Sequence, residues 1–214
     1  MDKMGGNRLL DNKGFDLWAR EYDKSVEKSS NEYPFDGYYD VLNYIYNSII
    51  NKESKKILDV GFGTGLLTSK LYEDGAKIFG IDFSQAMIDI AKEKMPNGLF
   101  IQSDFNLGIP SELAHEKFDY IISSYAIHHL NNEKKVEFIS KLKDLLNEDG
   151  KIIIADVAFK TEDNLIECKS KNLNKWDEDE IYMIEEKIIP SLYKNNVNAK
   201  YTQISSCAGV LEVD

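Results

Sequence analysis

One run constrains this chain more than any other: Ile57-Leu58-Asp59-Val60-Gly61-Phe62-Gly63-Thr64-Gly65. Its first four residues are short, mostly apolar and of strand length. The next five alternate glycine with other residues, and an amphipathic stretch over 64–74 follows. A strand that must turn at once into a helix needs backbone angles that glycine adopts freely, and glycine also lets the main chain approach a ligand closely. The run predicts a strand–loop–helix unit whose loop faces a bound molecule.

The surroundings repeat the unit. Ile78-Phe79-Gly80-Ile81-Asp82 reads as a second strand, and 84–94 as a helix with Ser84 as its N-cap. A third strand is expected at 100–102 and a fourth at 118–125. A helix over 131–147 would bury Val136, Ile139, Leu142, Leu145 and Leu146, and Gly150 would end the turn before a fifth strand at 151–157. Runs apolar on both faces, alternating with helices, mean a parallel sheet covered on both sides. Upstream, Phe15, Trp18, Ala19, Tyr22 and Val26 share one helical face, and Tyr38, Val41, Leu42, Ile45 and Ile49 share another. Downstream comes an acidic helical stretch, then a short helix opened by Pro190, then a hairpin of strands at 199–205 and 210–213.

The acid that ends the second strand, Asp82, sits where a carboxylate can accept both hydroxyls of a ribose, which indicates an adenosine-type ligand. A nicotinamide dinucleotide would want Gly-x-Gly-x-x-Gly/Ala. Gly61 and Gly63 fit, but Leu66 holds the third position and the glycine arrives one residue early, at Gly65. Taken alone, the glycines are also compatible with a tight turn and no ligand.

Charge narrows the partners. The 26 basic and 37 acidic residues give a net charge of −11. Such a surface repels phosphate backbones, so a nucleic acid is not expected as partner. No run is long and apolar enough to span a membrane. Cys168 and Cys207 lack metal-ligand spacing and no signal peptide precedes them, which suggests free thiols and a cytoplasmic protein. Three scattered histidines make no zinc site, and no metal is expected.

Gly61-x-Gly63-x-Gly65 preceded by Asp59 resembles motif I of the class I S-adenosylmethionine-dependent methyltransferases. Further elements of the same family follow in order: Asp82 after strand two, Ser103-Asp104-Phe105 after strand three, Ser124-Tyr125-Ala126-Ile127-His128-His129-Leu130 at the exit of strand four, and Leu145-Leu146-Asn147-Glu148-Asp149-Gly150 before strand five, with Asp149 in place of a glycine. The Phe15-Asp16-x-Trp18-Ala19-x-x-Tyr22-Asp23 pattern looks like the lid helix of small-molecule methyltransferases, and more narrowly like the YrrT-like group.

The resemblance implies a Rossmann-like, doubly wound α/β fold. Its mostly parallel seven-stranded sheet would carry an antiparallel C-terminal hairpin strand and an N-terminal helical lid. One domain would span 1–214: a lid at 1–54, a cofactor core at 55–157, a helical acceptor-side cover at 158–197 and a hairpin at 198–214. The cofactor would be S-adenosyl-L-methionine, the product S-adenosyl-L-homocysteine, and the acceptor a small molecule attacked in line. Asp59, Gly61, Gly63, Thr64 and Gly65 would meet the methionine end. Asp82 would hold the ribose, Phe83 and Met87 would flank the adenine, and Asp104 with Phe105 would read its edge. Ser124 or Tyr125 would line the sulfonium region, with Trp18 and Tyr22 closing the lid. His128 and His129 are candidates either for a general base or for positioning the loop. Tyr33, Tyr38 and Tyr39 would line an acceptor pocket or pack the second helix. Two other readings stand beside this one: a NAD-type oxidoreductase, and a cofactor-binding protein without catalysis. The stretch 162–187 carries nine acids against Lys169, Lys171, Lys175 and Lys187, a net of −5. It reads either as a solvated helix face or as a field that disfavours anionic acceptors.

Overall fold

The computed structural model describes residues 32–50 and 55–214. The helix expected at Phe15–Val26, with Trp18 and Tyr22, lies outside the described residues. Helix α1 (Tyr38–Ile49) buries Tyr38, Val41, Leu42, Ile45 and Ile49, the stripe that its spacing predicts. Strand β1 (Lys56–Val60), helix α2 (Leu66–Glu73), strand β2 (Lys77–Asp82), helix α3 (Gln85–Lys94) and strand β3 (Leu99–Gln102) form the first half of the sheet. Strand β4 (Phe118–Ser124), helix α4 (Asn132–Lys143) and strand β5 (Leu146–Phe159) begin the second. Helix α5 (Glu162–Lys171), strand β6 (Met183–Ile184), helix α6 (Glu185–Lys194) and strands β7 (Ala199–Gln203) and β8 (Ala208–Val213) complete it.

The strands lie in the order β3-β2-β1-β4-β5-β8-β7, with β6 paired to β5 off that path. The pairs from β3 to β5 are parallel, and β8 runs antiparallel to both β5 and β7. This is the expected doubly wound sheet with one short strand added. Side chains alternate between two cores because successive strand residues point to opposite faces. Leu58, Ile121 and Ile152, neighbours in register, pack with α4 and α6 on one face. Ile57, Ile122 and Ile153 pack with α1, α2 and α3 on the other.

Several element boundaries differ from the sequence reading: β7 ends at Gln203 and β8 begins at Ala208, and the larger differences lie around β5 and α6. Helix α4 stops at Lys143, and β5 starts at Leu146 instead of Lys151. Leu146 pairs with Phe118 across a register shift, so the stretch read as helix end and turn is already sheet edge. Pro190 does not open α6 but sits inside it. The two-residue strand β6, pairing with Ala158 and Phe159, sets the helix start at Glu185. Pro190 and Glu186, whose carbonyl loses its helical donor, are both exposed, so water can satisfy that carbonyl. The acidic stretch is only partly helical: α5 is followed by an irregular segment, 172–182.

Candidate active site

The sheet order reverses direction between β1 and β4, and in open α/β sheets ligands bind beyond the strand ends at such a point. A cavity of about 680 Å³ opens there. The glycine loop forms its floor. Gly61, Gly63 and Gly65 all have positive φ, at 69°, 56° and 70°. They are not equivalent. A Cβ on Gly61 would fall 2.4 Å from the Ala126 Cβ, and one on Gly65 would fall 2.7 Å from Met95 Cε. A Cβ on Gly63 would meet nothing within 4 Å. All three need glycine's backbone angle, and Gly61 is also fixed by packing, whereas the Met95 methyl at Gly65 can swing aside and Gly63 meets only the cavity.

Two carboxylates face this floor. Asp59 at the end of β1 is 2% exposed. Its Oδ2 accepts a short hydrogen bond from Thr68 Oγ1 of α2, and its Oδ1 is buried without a hydrogen-bond partner among the described residues. Burial pushes the Asp59 carboxyl up to about 7, the Thr68 bond opposes this, and the charge of Asp82 adds to it. Asp82 accepts from the Gly63 amide through Oδ2 and from the Ser84 amide through Oδ1, both at 2.9 Å. It ties the glycine loop to the turn after β2, where Ser84 Oγ accepts from the Met87 amide and caps α3.

Asp59, Gly61, Gly63, Thr64, Asp82, Phe83, Met87, Phe105, Ser124 and Tyr125 line the cavity together, and so do His129 and Tyr38. Tyr125 has φ 50°, rare for a residue with a side chain, and its ring packs on Tyr38 at 4.9 Å and Phe35 at 5.9 Å. Gly65 is not part of the lining. Asp104 also lies outside it: its Oδ1 accepts from the Asn106 amide at 2.8 Å and caps the turn Phe105–Leu107. Sequence reasoning missed Leu42, Phe62, Leu66, Leu67 and Ala126 as lining residues. The bulk at Ala126 was the one detectable signal, since a β4 exit pressed on Gly61 needs a small residue.

The two histidines part company. His129 faces the cavity, and burial followed by the neighbouring His128 pushes it down to about 4. His128 turns away, into the protein. Its Nδ1 lies 2.7 Å from Asp156 Oδ1, its Nε2 lies 3.6 Å from Glu180 Oε1, and its amide donates to Asp156 Oδ2 at 3.0 Å. Asp156, Glu180 and Lys135 were not singled out by the sequence reading.

Among the described residues, no lysine or arginine lines the cavity. Two carboxylates facing a glycine loop suit a ligand with cationic groups and oppose a pyrophosphate, which seeks amides without adjacent negative charge. A family model described as a methyltransferase domain matches residues 51–203. The chain belongs to this methyltransferase family. The methyltransferase is 38% identical over 185 residues to an uncharacterized methyltransferase of Alkaliphilus oremlandii, covering 86% of the chain and 82% of the relative. It is 34% identical over 209 residues to one of Bacillus cytotoxicus, covering 92% and 94%. Among solved structures it matches a DhpI–SAM–HEP complex with TM-score 0.71 at 15% identity, covering 99% and 100% of the two chains. It also matches the SAM-bound magnesium protoporphyrin IX methyltransferase of Synechocystis with TM-score 0.66 at 20% identity, covering 97% and 99%. At those identities the structural likeness is one of fold.

Proposed function

We propose that the methyltransferase transfers its methyl group to a small-molecule acceptor that enters beside Tyr125 and His129. The cofactor is S-adenosylmethionine and the product S-adenosylhomocysteine. The observation that carries the site assignment is the buried Oδ1 of Asp59, which has no hydrogen-bond partner among the described residues, in a cavity that no described lysine or arginine lines. A buried carboxylate oxygen without a donor is costly, and a ligand ammonium removes that cost.

The cofactor's sulfonium supplies a methyl group already activated for in-line displacement. The protein therefore has to align the reactants and exclude water. Asp59 and the loop from Gly61 to Gly65 hold the methionine end, with Thr68 orienting the Asp59 carboxylate. Asp82 accepts from the ribose while fixing Gly63. Phe83, Met87 and Phe105 enclose the adenine, and Asp104 holds Phe105 in place and offers Oδ2 to the adenine amino group. Ser124 and Tyr125 border the sulfur. Burial and His128 push His129 down to about 4, so it is neutral at physiological pH and adds no positive charge beside the sulfonium. Residues 158–197 cover the acceptor side. The YrrT-like placement and a cytoplasmic setting belong to the same reading; among the described residues no helix is long and apolar enough to cross a membrane.

Isothermal titration with S-adenosylhomocysteine and with NAD(H) tests the site. Binding of the first, weakened by Asp59→Asn, is expected. Binding of NAD(H) alone would overturn the reading. Release of S-adenosylhomocysteine on incubation with small thiols, amines, phenols and carboxylates would then identify the acceptor class.

A further inference from the structure

Beneath the irregular segment 172–182 lies a buried polar cluster that the cofactor site does not use. At its centre is His128, 8% exposed, between Asp156 of β5 and Glu180 of the segment. Lys135 of α4 is fully buried beside them. Its Nζ donates to Leu130 O and, at 2.5 Å, to Ile181 O. The Ile181 amide donates back to His128 O at 2.9 Å. The chain of contacts continues outward. Tyr182 Oη donates to Glu180 Oε2 at 2.6 Å, and Tyr33 Oη lies 2.6 Å from Tyr182 Oη. Trp176 stacks on Tyr33, with ring centres 5.2 Å apart and planes 7° from parallel.

The charges decide what His128 must be. Asp156 and Glu180 are two carboxylates, and Lys135 is one ammonium. Asp156 and Lys135 are fully buried and Glu180 is half-buried, so a neutral ring leaves the set with one excess negative charge in a poorly solvated place. A protonated His128, hydrogen-bonded to Asp156 and 3.6 Å from Glu180, balances that charge. On the inner side, the His128 ring packs on His129, with centres 4.3 Å apart, and His129 lines the cofactor cavity.

We propose that His128 is a positioning residue: as an imidazolium bridging Asp156 and Glu180, it clasps segment 172–182 onto the sheet and holds His129 in the cavity wall. The proposal rests on the reading of this segment as acceptor-side cover only for its consequence in catalysis. The clasp itself stands on the cluster. The groups facing the imidazole are Asp156 from β5, Glu180 and Tyr182 from the segment, Lys135 from α4 and His129 from its own turn. Burial works against the charged ring, Asp156 and then Glu180 outweigh it, and the net direction is upward from the ordinary imidazole value. The clasp is therefore closed at lower pH and opens as pH rises through that raised value.

The test uses the full chain with Trp18→Phe. The protein has two tryptophans, so Trp176 then reports alone. Its emission is followed from about pH 6 to about pH 9, a range that brackets a raised imidazole. Emission is expected to shift to the red, with greater access to acrylamide, as pH rises. Glu180→Gln should move the midpoint to lower pH, and His128→Asn should abolish the transition and leave the high-pH signal throughout. No transition in the parent overturns the proposal. So does a transition that survives His128→Asn, which would assign it to Lys135, a group burial pushes down to about 8. If His128→Asn fails to fold, the Glu180→Gln midpoint decides alone, and an unmoved midpoint overturns the clasp. None of these readings needs an acceptor. A midpoint moved by Glu180→Gln with the acceptor KM unchanged would instead count against the cover reading.

Discussion

At the scale of single residues, Asp59 carries the sharpest consequence. Burial raises its carboxyl to about 7, and a cationic ligand needs it ionised. Affinity for S-adenosylhomocysteine should rise roughly tenfold between about pH 6 and about pH 8 and then level off, because the ionised fraction rises by that factor across a midpoint near 7. In the empty protein, a carboxyl raised by folding means that stability falls as pH climbs from the unfolded carboxyl value towards 7. Ligand binding offsets that loss, so the ligand should raise Tm more at the upper pH than at the lower. Titration calorimetry and thermal melts check both effects, and Asp59→Asn should flatten both. Asp82→Ala should weaken the same ligand more than about tenfold, since charge-assisted bonds to a ribose disappear, and titration calorimetry at one pH suffices to check it. Asp59 and Asp82 were legible in the sequence because a strand end followed by glycine or by a cap places its last residue without help from distant parts of the chain. The partners of His128 were not. Asp156 lies 28 residues further on and reaches the imidazole only through the pairing of β4 with β5. Glu180 arrives on a segment with no periodicity to read.

At the scale of elements, the strand–loop–helix unit makes a contrast between two of its glycines. Gly61→Ala adds a methyl 2.4 Å from Ala126 Cβ at φ 69°, so both the loop and the β4 exit must shift. Tm should fall by roughly 5 to 10 °C, the scale expected for a loss of a few kcal/mol in a domain this long. Ala126→Gly in that background should restore part of the loss. Gly63→Ala meets open space and bears only the left-handed backbone cost, about 1–2 kcal/mol. It should stay folded yet bind S-adenosylhomocysteine poorly, because the new methyl projects from the cavity floor. Differential scanning calorimetry and titration calorimetry together separate the two cases, and equal Tm losses would refute the division of roles. The motif showed three glycines alike; only packing distinguishes them. The same limit explains the misplaced boundaries. The start of β5 at Leu146 depends on Phe118 across the sheet, and the start of α6 depends on the β6 pairing. Helix α1 and the alternating core strands, whose signals lie within their own residues, matched their patterns.

At the scale of the whole molecule, the acidic excess gains a structure. In 162–187 each of the four lysines is engaged: Lys169 with Glu178, Lys171 with Glu167, Lys175 with Glu32 and Lys187 with Glu162. The remaining acids of that stretch face outward or, like Glu180, serve the buried cluster. A polyanion approaching this side meets negative charge with its nearest lysines already paired, and among the described residues the cavity offers it no lysine or arginine. Screening shortens the reach of this field to about 8 Å at physiological salt, but contact with a phosphate backbone happens inside that distance. Transfer RNA and duplex DNA should therefore show no mobility shift with protein up to about 10 μM at about 0.15 M salt, a range where non-specific binders already associate. A retarded complex below that concentration would point to a nucleic-acid acceptor and remove the small-molecule reading, while leaving the cofactor site unchanged. Lysine substitutions at Asp177, Glu178 and Asp179 would separate field from fold. They should raise polyanion affinity with little loss of Tm, because all three residues are exposed and, among the described residues, the change removes only the exposed Lys169–Glu178 pair and the Asp177 acceptance from the Asp179 amide.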